Sequence, residues 1–361
     1  MALDDRLTPF EAYLKPVPAP SGFTSREIVR RAIEMDNPPR IPYSFIQPLE
    51  SDFVELAVVT GGDIDIANVP KGEMAFDDWG VGRRSSGTLW GHAEVHPLAD
   101  LGALDGYEFP DVLSPRRVAL ATALAAAAHE AGKYVVGADP IMTIERLRLL
   151  MGFENLMVAL YTERERFQRL LDQLTEMTVG AIRTYEEMGA VDGFMTWEDW
   201  GLQTTLQIRP EQWREIFKPH YARVVEETHR AGMHYIFHCC GFIMDIIPDL
   251  IEIGMDVLQL DQPRLMGIDR LAAEFGGRIC FWNTVDIQWS PLEEVTLDEL
   301  RAEAKHMIEQ FGRFGGGFIA RQYPQPRDIG MPIEKHHAIY EAFMEHGCRQ
   351  GSGIRSLPEP P

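Results

Sequence analysis

Residues 233–241 read Met-His-Tyr-Ile-Phe-His-Cys-Cys-Gly, MHYIFHCCG. The apolar run Tyr235–Phe237 predicts a short buried strand that ends in a cluster of soft ligands. In an extended chain alternate side chains face the same way. His238 and Cys240 therefore point together, and Cys239 points to the other side. One imidazole and one thiolate on a common face make half of a zinc site. A cysteine standing alone in a strand is more often a small core hydrophobe, which is the reading for Cys239. Gly241 then lets the backbone turn sharply.

Outward from this strand the pattern repeats. Helix 210–231 precedes it, and helix 243–253 leads to a strand at 256–260 (DVLQL). Helix 267–275 leads to strand 278–283, and helix 296–313 to strand 316–320. Upstream, helix 163–188 leads to strand 189–196, and a helix from Ser114-Pro115 to Ala131 leads to YVVGADP at 134–140. A first strand lies at 40–46, another within 52–67, and a last helix at 333–346. Strands alternating with helices imply a parallel sheet, and about eight such units in one chain predict a TIM (β/α)8 barrel. An open doubly wound sheet fits less well, because no strand runs into a Gly-rich phosphate fingerprint.

Residues 75–101, with glycine-rich turns between Trp79 and Trp90, read as a β-hairpin insertion. Residues 1–22 form an irregular N-terminal extension, 23–347 the barrel, and 348–361 a frayed tail.

The chain has 361 residues and a formal charge of −21. Nucleic acid and anionic membrane surfaces both call for basic patches, so neither is expected as a partner. Four cysteines (239, 240, 280, 348) are too few and too irregularly spaced for a disulfide framework. MALDDRLTPFEAYL lacks the basic and apolar regions of a signal peptide, and no apolar run approaches the roughly 20 residues of a membrane span. A cytoplasmic location is expected.

A barrel of this kind works at the C-terminal ends of its strands. Those ends carry Asp139, Trp197-Glu198-Asp199-Trp200, His238 and Cys240, Asp261-Gln262, Asp286-Ile287-Gln288, and Arg321-Gln322-Tyr323. Each has a plainer reading. Asp139 before Pro140 suits a turn, Asp261 and Asp286 suit helix caps, Arg321 suits the surface, and Cys280 suits the barrel core. Glu198 and Asp199 stand between tryptophans, where desolvation raises a carboxyl pKa.

Five segments together resemble the uroporphyrinogen decarboxylase superfamily, in particular its cobalamin-dependent methyltransferase branch. They are TSREIVRRAIEMDNPPRIP (24–42), TWEDWGLQTTLQIRPEQWREIFKPHY (196–221), HCCGFIMDIIPDLIEIGMDVLQLDQP (238–263), ICFWNTVDIQ (279–288) and GGGFIARQYPQP (315–326). The His-x-Cys-Gly segment is the most specific of these. Two departures stand out. Decarboxylase members carry an arginine-rich segment after the first strand, whereas residues 42–53 here read PYSFIQPLESDF. Thiol-methylating members complete the zinc site with a cysteine after the last strand, whereas this chain has Arg321-Gln322-Tyr323-Pro324.

The resemblance implies a zinc-dependent methyltransferase. It would move a methyl group between a small O- or N-methyl compound, such as a methoxylated aromatic, and a corrinoid. No Asp-x-His-x-x-Gly type signature is present, so cobalamin would arrive on a partner corrinoid protein. The implied ligands are His238 and Cys240, with Glu198 as first candidate for the third and Cys280 as second. Glu198, Asp199, Asp286 and Arg321 are candidate catalytic residues. Trp197, Trp200, Trp282, Gln288 and Tyr323 are candidate substrate contacts. A metal-free decarboxylase or lyase using Arg321 as a carboxylate anchor is the first alternative, and a non-catalytic corrinoid-binding barrel the second. The direction of transfer and the oligomeric state stay open, a homodimer included.

Overall fold

The computed structural model describes residues 14–46, 49, 51–56, 66–87 and 91–348. Part of the expected leader, most of the tail, Trp90 and residues 57–65 of the 52–67 segment lie outside the described residues. Eight parallel strands form one sheet. In chain order they are β1 (Tyr43–Ser44), β2 (Phe53–Leu56), then, after a separate small sheet, β6 (Tyr134–Ala138), β7 (Gly193–Glu198), β8 (His234–Cys239), β9 (Val257–Leu260), β10 (Cys280–Asn283) and β11 (Phe318–Arg321). The spatial order is β1-β11-β10-β9-β8-β7-β6-β2. The edge strands β1 and β2 meet where Asp52 N donates to the Tyr43 carbonyl at 2.7 Å and the Asp52 carboxylate accepts from Tyr43 N at 2.7 Å. The sheet thus curls into a nearly closed barrel flanked by helices, the expected TIM architecture.

Strand alternation divides the core in two. Phe53, Tyr134, Met195, Ile236, Val257 and Trp282 fill the lumen. Their neighbours in sequence, such as Val54, Phe194, Phe237 and Phe281, pack outward against the helices. Phe53 stacks on Trp282 with centroids 4.4 Å apart. Such layers of inward side chains make a barrel interior a packed core rather than a pore, and barrels of this kind do their chemistry at the C-terminal ends of the strands.

The structure refines three expectations. The hairpin insertion is a three-stranded antiparallel sheet of β3 (Met74–Phe76), β4 (Gly82–Arg84) and β5 (His92–Val95). Its first turn is held by Asp77, whose Oδ1 accepts from Trp79 N and Val81 N. The expected helix 210–231 is two helices, α6 (Pro210–Ile216) and α7 (Lys218–Arg230), because Pro219 in the first turn of α7 has no N–H to continue the first. Three helices, rather than one, link β6 to β7: α3 (Thr143–Met151), α4 (Phe153–Thr162) and α5 (Arg164–Met188). The remaining helices are α1 (Ser25–Ile33) and α2 (Pro115–Glu130) before these, and α8 (Ile247–Glu252), α9 (Ile268–Phe275), α10 (Leu297–Phe311) and α11 (Ile333–His346) after them. Among the described residues no helix is long and apolar enough to cross a membrane.

Candidate metal centre

The parallel register of β7 and β8 pairs Trp197 with His238 and Glu198 with Cys239. Residues paired in register share a face, so His238 looks into the lumen with Trp197, and Glu198 looks outward with Cys239. One step further along each chain, Asp199 and Cys240 return to the inner side. Asp199, His238 and Cys240 offer donor atoms that all lie within 4.8 Å of one another. His238 Nε2 is 3.5 Å from Cys240 Sγ and 3.8 Å from Asp199 Oδ1. His238 is buried, while Asp199 and Cys240 are partly open to solvent. One nitrogen, one sulfur and one carboxylate oxygen is a donor set that suits zinc.

Two glycines hold these ligands together. The loops leaving β7 and β8 cross backbone to backbone, with Gly201 N donating to the Cys240 carbonyl at 3.1 Å and Phe242 N to the Leu202 carbonyl at 2.7 Å. Cys240 N also points at Asp199 Oδ1, 3.3 Å away. Gly241 has φ +79°, and a side chain on either glycine would collide with the other loop's backbone.

Behind the ligands runs a chain of polar groups. His238 Nδ1 is hydrogen-bonded to Gln259 Oε1. Gln259 Nε2 donates to Asp261 Oδ1 at 2.8 Å, and the same oxygen accepts from Arg321 Nη1. Burial opposes the charge on Asp261, but the Arg321 guanidinium, His238 and the Gln259 amide outweigh it. Its pKa falls below the usual carboxylate value.

The structure distributes the other expected site residues unevenly. Glu198 does not reach the cluster. It is fully buried on the helix side, where Oε2 accepts from Ile144 N at 2.8 Å and Oε1 lies 3.3 Å from the Thr196 hydroxyl oxygen. Burial raises its pKa well above the usual range. Trp200 also faces outward. It is fully buried against Trp213 and Phe217, with its indole N–H donated to Tyr221 at 2.9 Å, and so offers no surface to a substrate. Trp282 is sealed in the lumen core. Cys280 lies lower still, in register with Val257 rather than with His238, which removes it as a third ligand. Asp286 pins its own loop, accepting from Gln288 N, Trp289 N and Arg264 N, and Gln288 is exposed. Trp197 and Tyr323 remain partly open. Asp261, Cys240 and Arg321 all act electrostatically on the Tyr323 hydroxyl, whose pKa is raised chiefly by burial.

Two residues of this neighbourhood escaped the sequence reading. Gln259 is a polar side chain in the apolar strand VLQL, and its inward parity is legible once the strand is aligned with His238. Glu55 alternates with Phe53 in FVEL and so faces the lumen. It reaches solvent, yet the surrounding protein raises its pKa against the pull of Arg321 and His238.

A barrel with polar side chains gathered at the C-terminal ends of its strands is an enzyme-type scaffold. Residues 141–321 match the family model for uroporphyrinogen decarboxylase (URO-D). Over 128 residues the chain is 30% identical to the uroporphyrinogen decarboxylase of one strain of Thermus thermophilus, covering 36% of this chain and 33% of that protein. Over an equal length it is 29% identical to the enzyme of a second strain of the same species, with the same coverage. The chain therefore spans about a third of the length of the curated relatives it matches. Among solved structures, a methyltransferase from Methanosarcina mazei has the same fold, with a TM-score of 0.54 and 17% identity over 91% of this chain and 88% of that one. The chain belongs to the uroporphyrinogen decarboxylase family.

Proposed function

We propose that the protein is a zinc-dependent methyltransferase that passes a methyl group between a small methylated compound and a corrinoid carried by a partner protein. The observation that carries this reading is the meeting of Asp199, His238 and Cys240 at the open end of the barrel. Three protein donors is the number a catalytic zinc site uses, the fourth place going to water or substrate. The barrel shared with the Methanosarcina mazei methyltransferase supports the same reading.

His238, Cys240 and Asp199 would hold the metal, which when bound supplies a Lewis acid for a departing oxygen or a hold on a thiol acceptor. The partly open side of Asp199 faces the incoming substrate. Trp197 and Tyr323 present aromatic surface to a methoxylated ring. Glu55 faces the lumen on β2 and is the further carboxyl on that side of the barrel, its pKa raised against the pull of Arg321 and His238.

The metal-free lyase reading needs Arg321 as a free carboxylate anchor. Its guanidinium instead holds Asp261, and no arginine stands in residues 42–53. Metal analysis of the purified protein tests the proposal. Near-stoichiometric zinc is expected, lost in Cys240→Ala and kept in Cys239→Ala. Wild-type protein without zinc, or equal loss in both variants, would overturn it.

A further inference from the structure

We infer that Arg321, Asp261 and Gln259 form a relay that fixes the tautomer of His238, placing its proton on Nδ1 and leaving the Nε2 lone pair facing Cys240 and Asp199. The proton count along the contacts forces this. Arg321 has only N–H donors. Its buried ion pair with Asp261 keeps that carboxylate ionised, so the carboxylate only accepts. Asp261 Oδ1 lies 2.8 Å from the Gln259 side chain, so the amide must present its NH2 there. A flipped amide would set two acceptor oxygens against each other. With its NH2 committed to Asp261, Gln259 presents Oε1 to His238 Nδ1, and only an N–H on Nδ1 completes that bond.

The relay follows the wall of the barrel. Gln259 is paired in register with His238 on one side and with Trp282 on the other, so its side chain lies on the lumen face between them. Gln259 is fully buried and Asp261 nearly so, and no solvent exchange loosens the arrangement. Neutral histidine in water favours the proton on Nε2. The relay has to reverse that preference, and a buried oxygen acceptor at its far end, held in place by Arg321, orients the amide that does so. Arg321 and Asp261 are on this account positioning residues, not substrate contacts.

The inference rests on the metal reading for its purpose, but its first test does not use metal. Imidazole 15N spectra of the histidine-labelled, zinc-free protein at about pH 8 report which nitrogen carries the proton, and His238→Asn identifies the His238 signals among the other histidines. The expected result is a pyrrole-type Nδ1 and a pyridine-type Nε2. In Gln259→Leu the pattern should shift toward Nε2–H, and in Asp261→Ala it should follow. Asp261→Asn keeps the Oδ1 acceptor and should restore the wild-type pattern, which a general loss of packing would not do. The second test is zinc affinity by chelator competition, where Gln259→Leu should bind about 10- to 100-fold more weakly. An Nε2–H tautomer in the wild type, or no change in Gln259→Leu, overturns the relay. An Nδ1–H tautomer in a protein that binds no zinc upholds the relay and sinks the metal reading.

Discussion

Gly201 and Gly241 touch through their backbones. A Cβ built on Gly241 would lie 2.3 Å from the Gly201 carbonyl carbon, and one on Gly201 would lie 2.4 Å from the Gly241 carbonyl carbon. No flexible side chain stands between them to give way. This contact sets the separation of Asp199 and Cys240, which lie two residues and one residue away from it. Gly241→Ala should therefore cost about 1–3 kcal/mol for its left-handed backbone alone, with the collision added. The expected outcome is a lowered urea midpoint together with loss of bound zinc. Full zinc in a destabilised Gly241→Ala protein would show that the crossing loops do not position the ligands.

The seam of the barrel is closed by a buried ion pair. Arg40 donates through both Nη atoms to the two oxygens of Asp52, each at 2.7 Å, and both side chains are almost wholly buried. Asp52 also holds β1 through Tyr43 N. Asp52→Asn leaves a buried guanidinium without its counter-charge, and breaking such a pair costs about 3–5 kcal/mol. Equilibrium unfolding should register a loss of that size. A change within about 0.5 kcal/mol, the range of ordinary surface substitutions, would mean the seam is held by other contacts.

Parity along a strand was legible in the sequence; where a strand stops was less so. The alternation that joins His238 to Cys240 also joins Trp197 to Asp199, but with the strand expected to end at Thr196, Glu198 lies beyond it and its carboxylate is expected to reach the same mouth. β7 in fact continues through Glu198, so strict alternation still governs that residue and sends it outward. Trp200 shows a different limit. Its aromatic neighbours Trp213 and Phe217 lie on α6 and at the join between α6 and α7, and only the packed helix reveals that it is core. Glu55 and Gln259 were hidden for a third reason: a polar residue in a short apolar strand gains meaning only when strands distant in sequence are set side by side. The strand–helix rhythm, by contrast, is local, and it identified the barrel.

Asp139 makes a prediction about pH. It is buried at the end of β6, where its carboxylate accepts from Ile141 N, Met142 N and Thr196 Oγ1. Burial outweighs these donors, and the pKa is raised. A carboxyl whose folded pKa lies above its unfolded one gives its full stabilisation below the unfolded value, about 3.9. That stabilisation is lost as pH rises through the folded value. Wild-type stability should thus fall more steeply with rising pH than that of Asp139→Asn, which cannot ionise. Unfolding free energies followed upward from about pH 4, where the unfolded carboxyl begins to ionise, measure the difference in slope. Parallel curves would mean that Asp139 ionises as easily in the folded chain as in the unfolded one.

The adjacent carboxylates at the end of β7 give the most direct test of the centre. Asp199 has its Oδ1 3.8 Å from His238 Nε2, whereas Glu198 is bonded to Ile144 N and lies beside Thr196 behind the strand. Asp199→Ala removes one of three donors and leaves the wall of the barrel intact. Its zinc affinity should drop by more than the roughly 10- to 100-fold seen when residues behind the ligands are changed, with little change in melting temperature. Glu198→Gln keeps an oxygen acceptor for Ile144 N and puts a neutral group where burial already disfavours charge. It should bind zinc like the wild type and be no less stable at neutral pH. The reverse pattern, with zinc lost in Glu198→Gln and kept in Asp199→Ala, would require the end of β7 to turn over on binding metal and would return the third ligand to Glu198.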